Sequence, residues 1–175
     1  EHRLKPVAVL LTHGHLDHTW SVRPLCEGYD IPAYVHGDDV EMVTDPMTWH
    51  GDGIAKMLGG VQYPEFDDVQ ALADGQKFQI VGVDLTARHT PGHTRGSVVF
   101  EFDHPQAHAV LSGDTLFQGS VGRTDLPGGS PEDLMKSIQN VCLAMSDDTV
   151  VLPGHGGQTT IGDERRTNPF LQGLH

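Results

Sequence analysis

An unbroken apolar run, Val7-Ala8-Val9-Leu10-Leu11, stops at Thr12 and passes directly into His13-Gly14-His15-Leu16-Asp17-His18. The run is bounded by Pro6 and has the length of a buried strand, so the polar cluster falls on the loop at its C-terminal end. Four side chains able to bind metal lie within the six residues from His13 to His18. Imidazoles at i and i+2 on such a loop can meet one ion. A carboxylate and an imidazole at i+4 and i+5 turn another way as a helix begins. The cluster therefore suits two adjacent ions better than one.

Three further segments place polar residues just after strand candidates. His89-Thr90-Pro91-Gly92-His93-Thr94 makes a tight turn in which His93 is the expected ligand and His89 a supporting residue. Leu111-Ser112-Gly113-Asp114 ends an apolar strand in a carboxylate, which can bridge two metals as imidazole ordinarily does not. Leu152-Pro153-Gly154-His155-Gly156-Gly157 sets a histidine on a glycine-rich bend.

Composition narrows the function classes. The chain carries 12 His, 11 Lys+Arg and 24 Asp+Glu, a formal charge of −13. Such an acidic chain is poorly suited to nucleic acid or to an anionic membrane surface. No stretch approaches the ~20 apolar residues of a membrane span. Cys26 and Cys142 are too few and too distant for a disulfide framework or a CxxC site, and read as buried or half-buried free thiols that fit a reducing compartment. The expected localisation is cytoplasmic.

Elsewhere the pattern predicts a short helix within 18–29, a strand at 32–36 and a short acid-started helix at 38–43. Residues 44–68 read as a loop-rich excursion with one helix near 54–58. Strands are expected at 78–81, 83–86, 97–102, 107–111 and 149–152, with an Asp74-Gly75 turn before them. Ser130-Pro131-Glu132-Asp133 has the grammar of a helix start, with the helix running to about Met145, and 161–167 forms a last helix. No repeat or linker divides residues 1–175, so one domain is expected, with a strand-rich core covered by helices.

The ordered set HxHxDH, GH, GD, GH resembles the metallo-β-lactamase superfamily over about residues 7–170. Within it the chain is similar to the short bacterial proteins of the glyoxalase II (hydroxyacylglutathione hydrolase) group. The supporting segments are Thr90–Thr94, Ser112-Gly113-Asp114-Thr115-Leu116-Phe117, Gly122-Arg123-Thr124-Asp125 and Pro153-Gly154-His155-Gly156. The resemblance implies a four-layer αββα sandwich of the α/β (α+β) class. One divalent ion is then held by His13, His15 and His93 and a second by Asp17, His18 and His155, with Asp114 bridging. Zinc is the first choice, with iron and manganese as alternatives. Asp17 and Asp114 are the catalytic carboxylates.

The implied activity is hydrolysis of a thioester of a small thiol, of the S-lactoylglutathione kind met in methylglyoxal detoxification, by a bridging metal hydroxide. Arg95 and Arg123 are candidate contacts for a substrate carboxylate, with an Arg123–Asp125 pair as the structural alternative. Tyr34, Tyr63, Arg165 and Arg166 are weaker candidates. The family carries more strand before its first metal motif than the six residues that precede Val7 here, so a sandwich lacking part of its N-terminal half, with exposed edge and core, is expected. Longer glyoxalase II enzymes also carry a C-terminal helical domain that supplies basic residues to the glutathione site, whereas 20 residues follow His155. The thiol carrier stays open.

Rival readings share the scaffold. A persulfide dioxygenase using one iron has the same motif set, and a lactonase the same ligands. A β-lactamase is disfavoured because many place Cys at the position of Asp114 and lack the Asp17-His18 pair. A non-catalytic relic is disfavoured because all seven ligand positions are filled.

Overall fold

The computed structural model describes residues 4–50, 56, 59, 63, 66–80, 82–104 and 107–174. Two sheets stack with helices on both outer faces. The smaller is parallel throughout, in the order β1 (Val9–Leu10), β2 (Ala33–His36), β3 (Val69–Leu72). The larger runs β11 (Thr159–Thr160), β10 (Val150–Pro153), β7 (Ala107–Gly113), β6 (Val98–His104), β5 (Val83–His89), β4 (Lys77–Ile80). It is antiparallel except where β10 lies parallel to β7. A hairpin of β8 (Leu116–Phe117) and β9 (Ser120–Val121) stands beside it.

Alternation along the strands separates three packed layers. In β2, Ala33 and Val35 turn outward onto α2 (Val22–Tyr29) and α3 (Val40–Thr44), where Val22, Cys26 and Val43 meet them. Tyr34 turns inward with Leu10 and Leu72, against Ala87, Val98 and Phe100 of the larger sheet. Phe100 is almost fully enclosed there, a burial that stabilises by ~1.5–3 kcal/mol. On the far side Val99, Val110 and Val151 pack under α5 (Pro131–Ser137), the π-helical turn Ile138–Cys142 and α6 (Ile161–Thr167). Leu134, Ile138 and Cys142, four apart, are the stripe that faces the sheet. The αββα layering is thus present.

Several local expectations are corrected. β1 is only two residues long, and Val7 is exposed. Its partner begins at Ala33, and the preceding Pro32 has no N–H to donate, so the ladder cannot extend back. The 18–29 helix is two pieces, α1 (Leu16–Thr19) and α2, and Trp20 and Leu25 stay partly exposed while Val22 and Cys26 are buried. The excursion at 44–68 contains α4 (Pro46–His50), which opens on a proline at its first position. The helix expected at 54–58 lies outside the described residues apart from Lys56. Strands β3, β8, β9 and β11 were not anticipated, being short or polar. α5 stops at Ser137 and continues as a π turn. Its start has Ser130 Oγ accepting from Asp133 N at 3.3 Å and Pro131 in the first turn, as read.

Cys26 and Cys142 are free and buried. Burial pushes the Cys142 thiol up to about 12. Tyr34 is a core residue between the sheets. Tyr63 donates from its hydroxyl to Thr19 O at 2.8 Å. Arg165 and Arg166 are held by Asp147 and Asp163. Among the described residues no helix is long and apolar enough to cross a membrane.

Candidate metal centre

Four strand ends converge. The chain leaves β1 through Leu11 and Thr12, whose carbonyl accepts from Val98 N at 2.8 Å, so the His13–His18 loop is tied to β6. The parallel pair β7 and β10 end together after a one-residue register shift at Leu152/Pro153, which sets Pro153 opposite Gly113, with Gly154 N donating to Gly113 O at 2.8 Å. Asp114 and His155 therefore emerge side by side. Glycine is required at this meeting: a Cβ on Gly154 would stand 2.3 Å from Asp114 Oδ1. The turn after β5 carries His93. There Gly92 has φ +139 and sits so close to α5 that a Cβ would lie 2.2 Å from Leu134 N.

Seven side chains meet at these ends. His15 Nδ1 lies 2.8 Å from His93 Nε2, and His18 Nε2 lies 3.2 Å from His155 Nε2. Asp114 stands between the groups, with Oδ1 3.3 Å from His18 Nε2 and Oδ2 3.6 Å from His93 Nε2 and 3.5 Å from His155 Nε2. Asp17 Oδ2 is 3.3 Å from His155 Nε2 and 3.6 Å from His18 Nε2. Three overlapping sets have donors close enough to share an ion: His13, His15 and His93; His13, His18 and Asp114; Asp17, His18 and His155.

Two observations test whether these residues fit metal. Metal–nitrogen bonds of ~2.0–2.1 Å in a tetrahedral site put neighbouring donors roughly 3.3 Å apart. The spacings above, 2.8 to 3.6 Å, bracket that value. In addition, His13 Nε2 is buried with no hydrogen-bond partner among the described residues. Buried polar atoms are rarely left so, because desolvation then goes uncompensated. The residues fit.

The electrostatics agree. Burial, with the charges of His18, His93, His15 and His155, holds His13 well below the ordinary histidine range, so it is neutral and a lone-pair donor. His18 is pulled down by burial, but contact with Asp114 and the charges of Asp114 and Asp17 leave it net raised. Burial works to raise Asp114, yet His18, His93 and His155 hold its carboxyl below the usual range. It is ionised at neutral pH.

Supporting contacts fix the ring orientations. His93 Nδ1 lies 2.8 Å from the carbonyl of Arg123, which assigns the proton to Nδ1 and turns Nε2 to the centre. His89 stays outside the cluster. It stacks on His36 with ring centroids 4.0 Å apart, and its Nε2 lies 2.8 Å from Arg95 O.

One supporting residue was not singled out from the sequence. Asp39 is fully buried at the end of the turn Gly37–Asp39. Its Oδ2 accepts from Gly14 N at 2.9 Å and Thr94 Oγ1 at 2.6 Å, and its Oδ1 from Gly96 N at 2.7 Å. One carboxylate thus ties the His13–His18 loop to the His93 loop. In the sequence it reads only as an acid at a helix start.

All seven candidate ligands lie inside residues 1–155, which match the family model described as Metallo-beta-lactamase superfamily. The chain belongs to that superfamily. It is 35% identical over 164 residues to the hydroxyacylglutathione hydrolase GloC of Haemophilus influenzae, covering 93% of this chain and 74% of that protein. Among solved structures, BLEG-1 B3 metallo-beta-lactamase superposes with a TM-score of 0.85 at 37% identity, covering 98% of this chain and 79% of that one. TTHA1623 in a di-iron-bound form superposes at 0.79 with 42% identity, covering 96% and 79%.

A cleft of about 800 Å³ opens beside the seven side chains. Its floor includes His15, His93, Asp114 and His155, with Asp17 at the rim, and its walls include Leu16, Trp20, Trp49, Phe117, Ser120, Val121, Leu126 and Pro127, with Arg123 at one side. The Arg123 guanidinium grips Asp125 through two contacts of 2.7 Å, and this holds the Asp125 carboxyl down at about 2. Arg95 is exposed and is not among the residues that line the cleft.

Proposed function

We propose that the chain is a metal-dependent hydrolase that cleaves thioesters of a small thiol, with two divalent ions shared among His13, His15, Asp17, His18, His93, Asp114 and His155. The observation that carries this reading is the central position of Asp114, in contact with His18, His93 and His155 at 3.3 to 3.6 Å, at the floor of an open cleft. The similarity to a hydroxyacylglutathione hydrolase supports the thioester class. Two divalent ions supply a hydroxide at neutral pH and a Lewis acid for a carbonyl oxygen.

The protein's own groups do the rest. His13, held neutral by burial, presents a lone pair at any pH near 7. Asp114 brings one negative charge to the junction of both halves. Asp17, exposed at the cleft rim and 3.3 Å from His155 Nε2, can accept a hydrogen bond from an attacking water and hold it toward a carbonyl in the cleft. The apolar walls exclude bulk water from one side and strengthen every charge interaction at the floor. A thiolate leaves readily, its conjugate acid having a pKa of only ~8.5, so no general acid is needed.

The test is turnover of S-D-lactoylglutathione by protein loaded separately with zinc, iron and manganese, read at 240 nm, beside oxygen uptake with glutathione persulfide. Thioester loss that tracks metal content is the expected result. Oxygen uptake without thioester loss would replace this reading with the persulfide dioxygenase. A second reading has one observation in its favour: the 37% identity with a B3 metallo-beta-lactamase. Nitrocefin hydrolysis at a rate above that of every thioester would select it.

A further inference from the structure

The cleft floor is polar, whereas its walls are mostly apolar. Leu16 and Trp20 come from the first helix and its end, Trp49 from α4, Phe117 from the β8–β9 hairpin, and Leu126 and Pro127 from the loop before α5. Four separate segments thus bring apolar side chains to one space. Large apolar surfaces facing a cavity mark ligand contact when a few polar groups converge at its base. Trp49 stands over the metal-binding loop, its ring 6.4 Å from that of His15 in an edge-on arrangement. Trp20 is 43% exposed and leans on Tyr63 with ring centroids 5.3 Å apart and the rings tilted by 49°, so it is propped yet leaves surface open.

The charges around the cleft point the same way. Among the described residues that line it, Arg123 is the only Lys or Arg. Both of its contacting nitrogens are already on Asp125 at 2.7 Å. An anionic acyl or carrier group would therefore meet a guanidinium whose charge Asp125 already balances, with only its remaining N–H groups to offer. Asp17 at the rim adds a negative charge to the approach.

We propose that the substrate's acyl group is uncharged and apolar, aryl or branched alkyl, and lies between Trp20, Trp49 and Leu126 with its carbonyl over Asp114. This rests on the thioesterase reading above and narrows it. The reaction is hydrolysis: water adds its oxygen to the acyl carbon, the C–S bond breaks with its electron pair on sulfur, and the products are the carboxylic acid and the free thiol.

The experiment uses metal-loaded protein and a series of acyl thioesters of N-acetylcysteamine, a neutral thiol: acetyl, butanoyl, hexanoyl and phenylacetyl. S-D-lactoylglutathione is the charged comparison. Each methylene buried against the wall is worth ~0.8 kcal/mol, so kcat/KM should rise about fourfold per methylene until the wall is filled. Phenylacetyl should exceed acetyl by at least about 30-fold. Trp49→Ala and, separately, Leu126→Ser should cut the phenylacetyl-to-acetyl ratio by about tenfold or more, and the ratio is an internal control for misfolding.

A binding arm stands apart from turnover. The chain has 2 Trp, and both line the cleft, so intrinsic fluorescence reports on it directly. The inert thioether S-(2-phenylethyl)-N-acetylcysteamine should quench or shift that emission at concentrations where glutathione does not. A flat acyl series, or S-D-lactoylglutathione as the best substrate, overturns the proposal while leaving the thioesterase reading intact. Failure of every thioester together with saturable thioether binding overturns the thioesterase reading and leaves the apolar cleft standing. Absence of both overturns both.

Discussion

Replacing Asp39 tests whether the centre is held together from behind. Its carboxylate takes three hydrogen bonds of 2.6 to 2.9 Å from Gly14 N, Thr94 Oγ1 and Gly96 N. A bond to a charged group contributes about 1.5–3 kcal/mol, and a buried donor left alone costs about 1–3 kcal/mol. In Asp39→Asn one oxygen becomes an NH2 that faces a backbone N–H. Thr94 Oγ1 still has Ser97 Oγ at 2.7 Å, so the loss falls mainly on one backbone donor, roughly 2–3 kcal/mol. In Asp39→Ala both Gly14 N and Gly96 N are stranded, and the loss rises to about 3–5 kcal/mol. Because the carboxylate spans the two ligand loops, metal affinity should fall as well, by roughly 10–100-fold. Urea melts of the metal-free protein give the first quantity and competition against a chromophoric chelator the second. If Asp39→Asn stays within about 0.5 kcal/mol of the parent and binds metal equally well, the loops are positioned by something else and the reasoning fails.

Three other outcomes are expected. His155→Ala should retain about one ion per chain by elemental analysis, whereas Asp114→Ala should weaken both halves. Burial and the neighbouring His89 hold His36 below its ordinary range, against the pull of Asp38, Asp39 and Asp74. The unfolded chain therefore takes up a proton that the folded one refuses as pH falls below ~6.5, and stability drops on that side by at most ~1.4 kcal/mol per pH unit. His36→Gln should flatten that slope between pH 6.5 and 5 in urea melts, and an unchanged slope would contradict it. Gly92→Ala should cost about 4 kcal/mol or more, since its Cβ would meet the backbone of Leu134 rather than a side chain that can move. A melting temperature within a few degrees of the parent would contradict that.

The centre's residues were legible because His13, His15, His93, Asp114 and His155 each sit on a strand-end loop with a glycine beside them, Asp17 and His18 follow within three residues on α1, and local spacing survives into three dimensions. His13, Gly14 and His15 needed no tertiary information to be noticed. Asp39 did, since its partners lie 25 to 57 residues away and nothing near it in sequence marks a buried acid. The cleft walls were equally hidden, because Trp20 and Trp49 come from elements that only the packed layers bring together. Among the strands, the long antiparallel ones announced themselves as apolar-rich segments separated by turn residues. β3, β8, β9 and β11 did not, being only two to four residues long.

The centre's two sides face the solvent unequally. The His13, His15 and His93 side chains are sealed, at 1%, 5% and 3% exposure, whereas those of Asp17 and His155 stand 60% and 57% open. A chelator reaches the second group at once and the first only after a loop has opened. Loss of metal should then be biphasic, with a rapid step that leaves a half-loaded form and a slow one limited by the protein's own breathing.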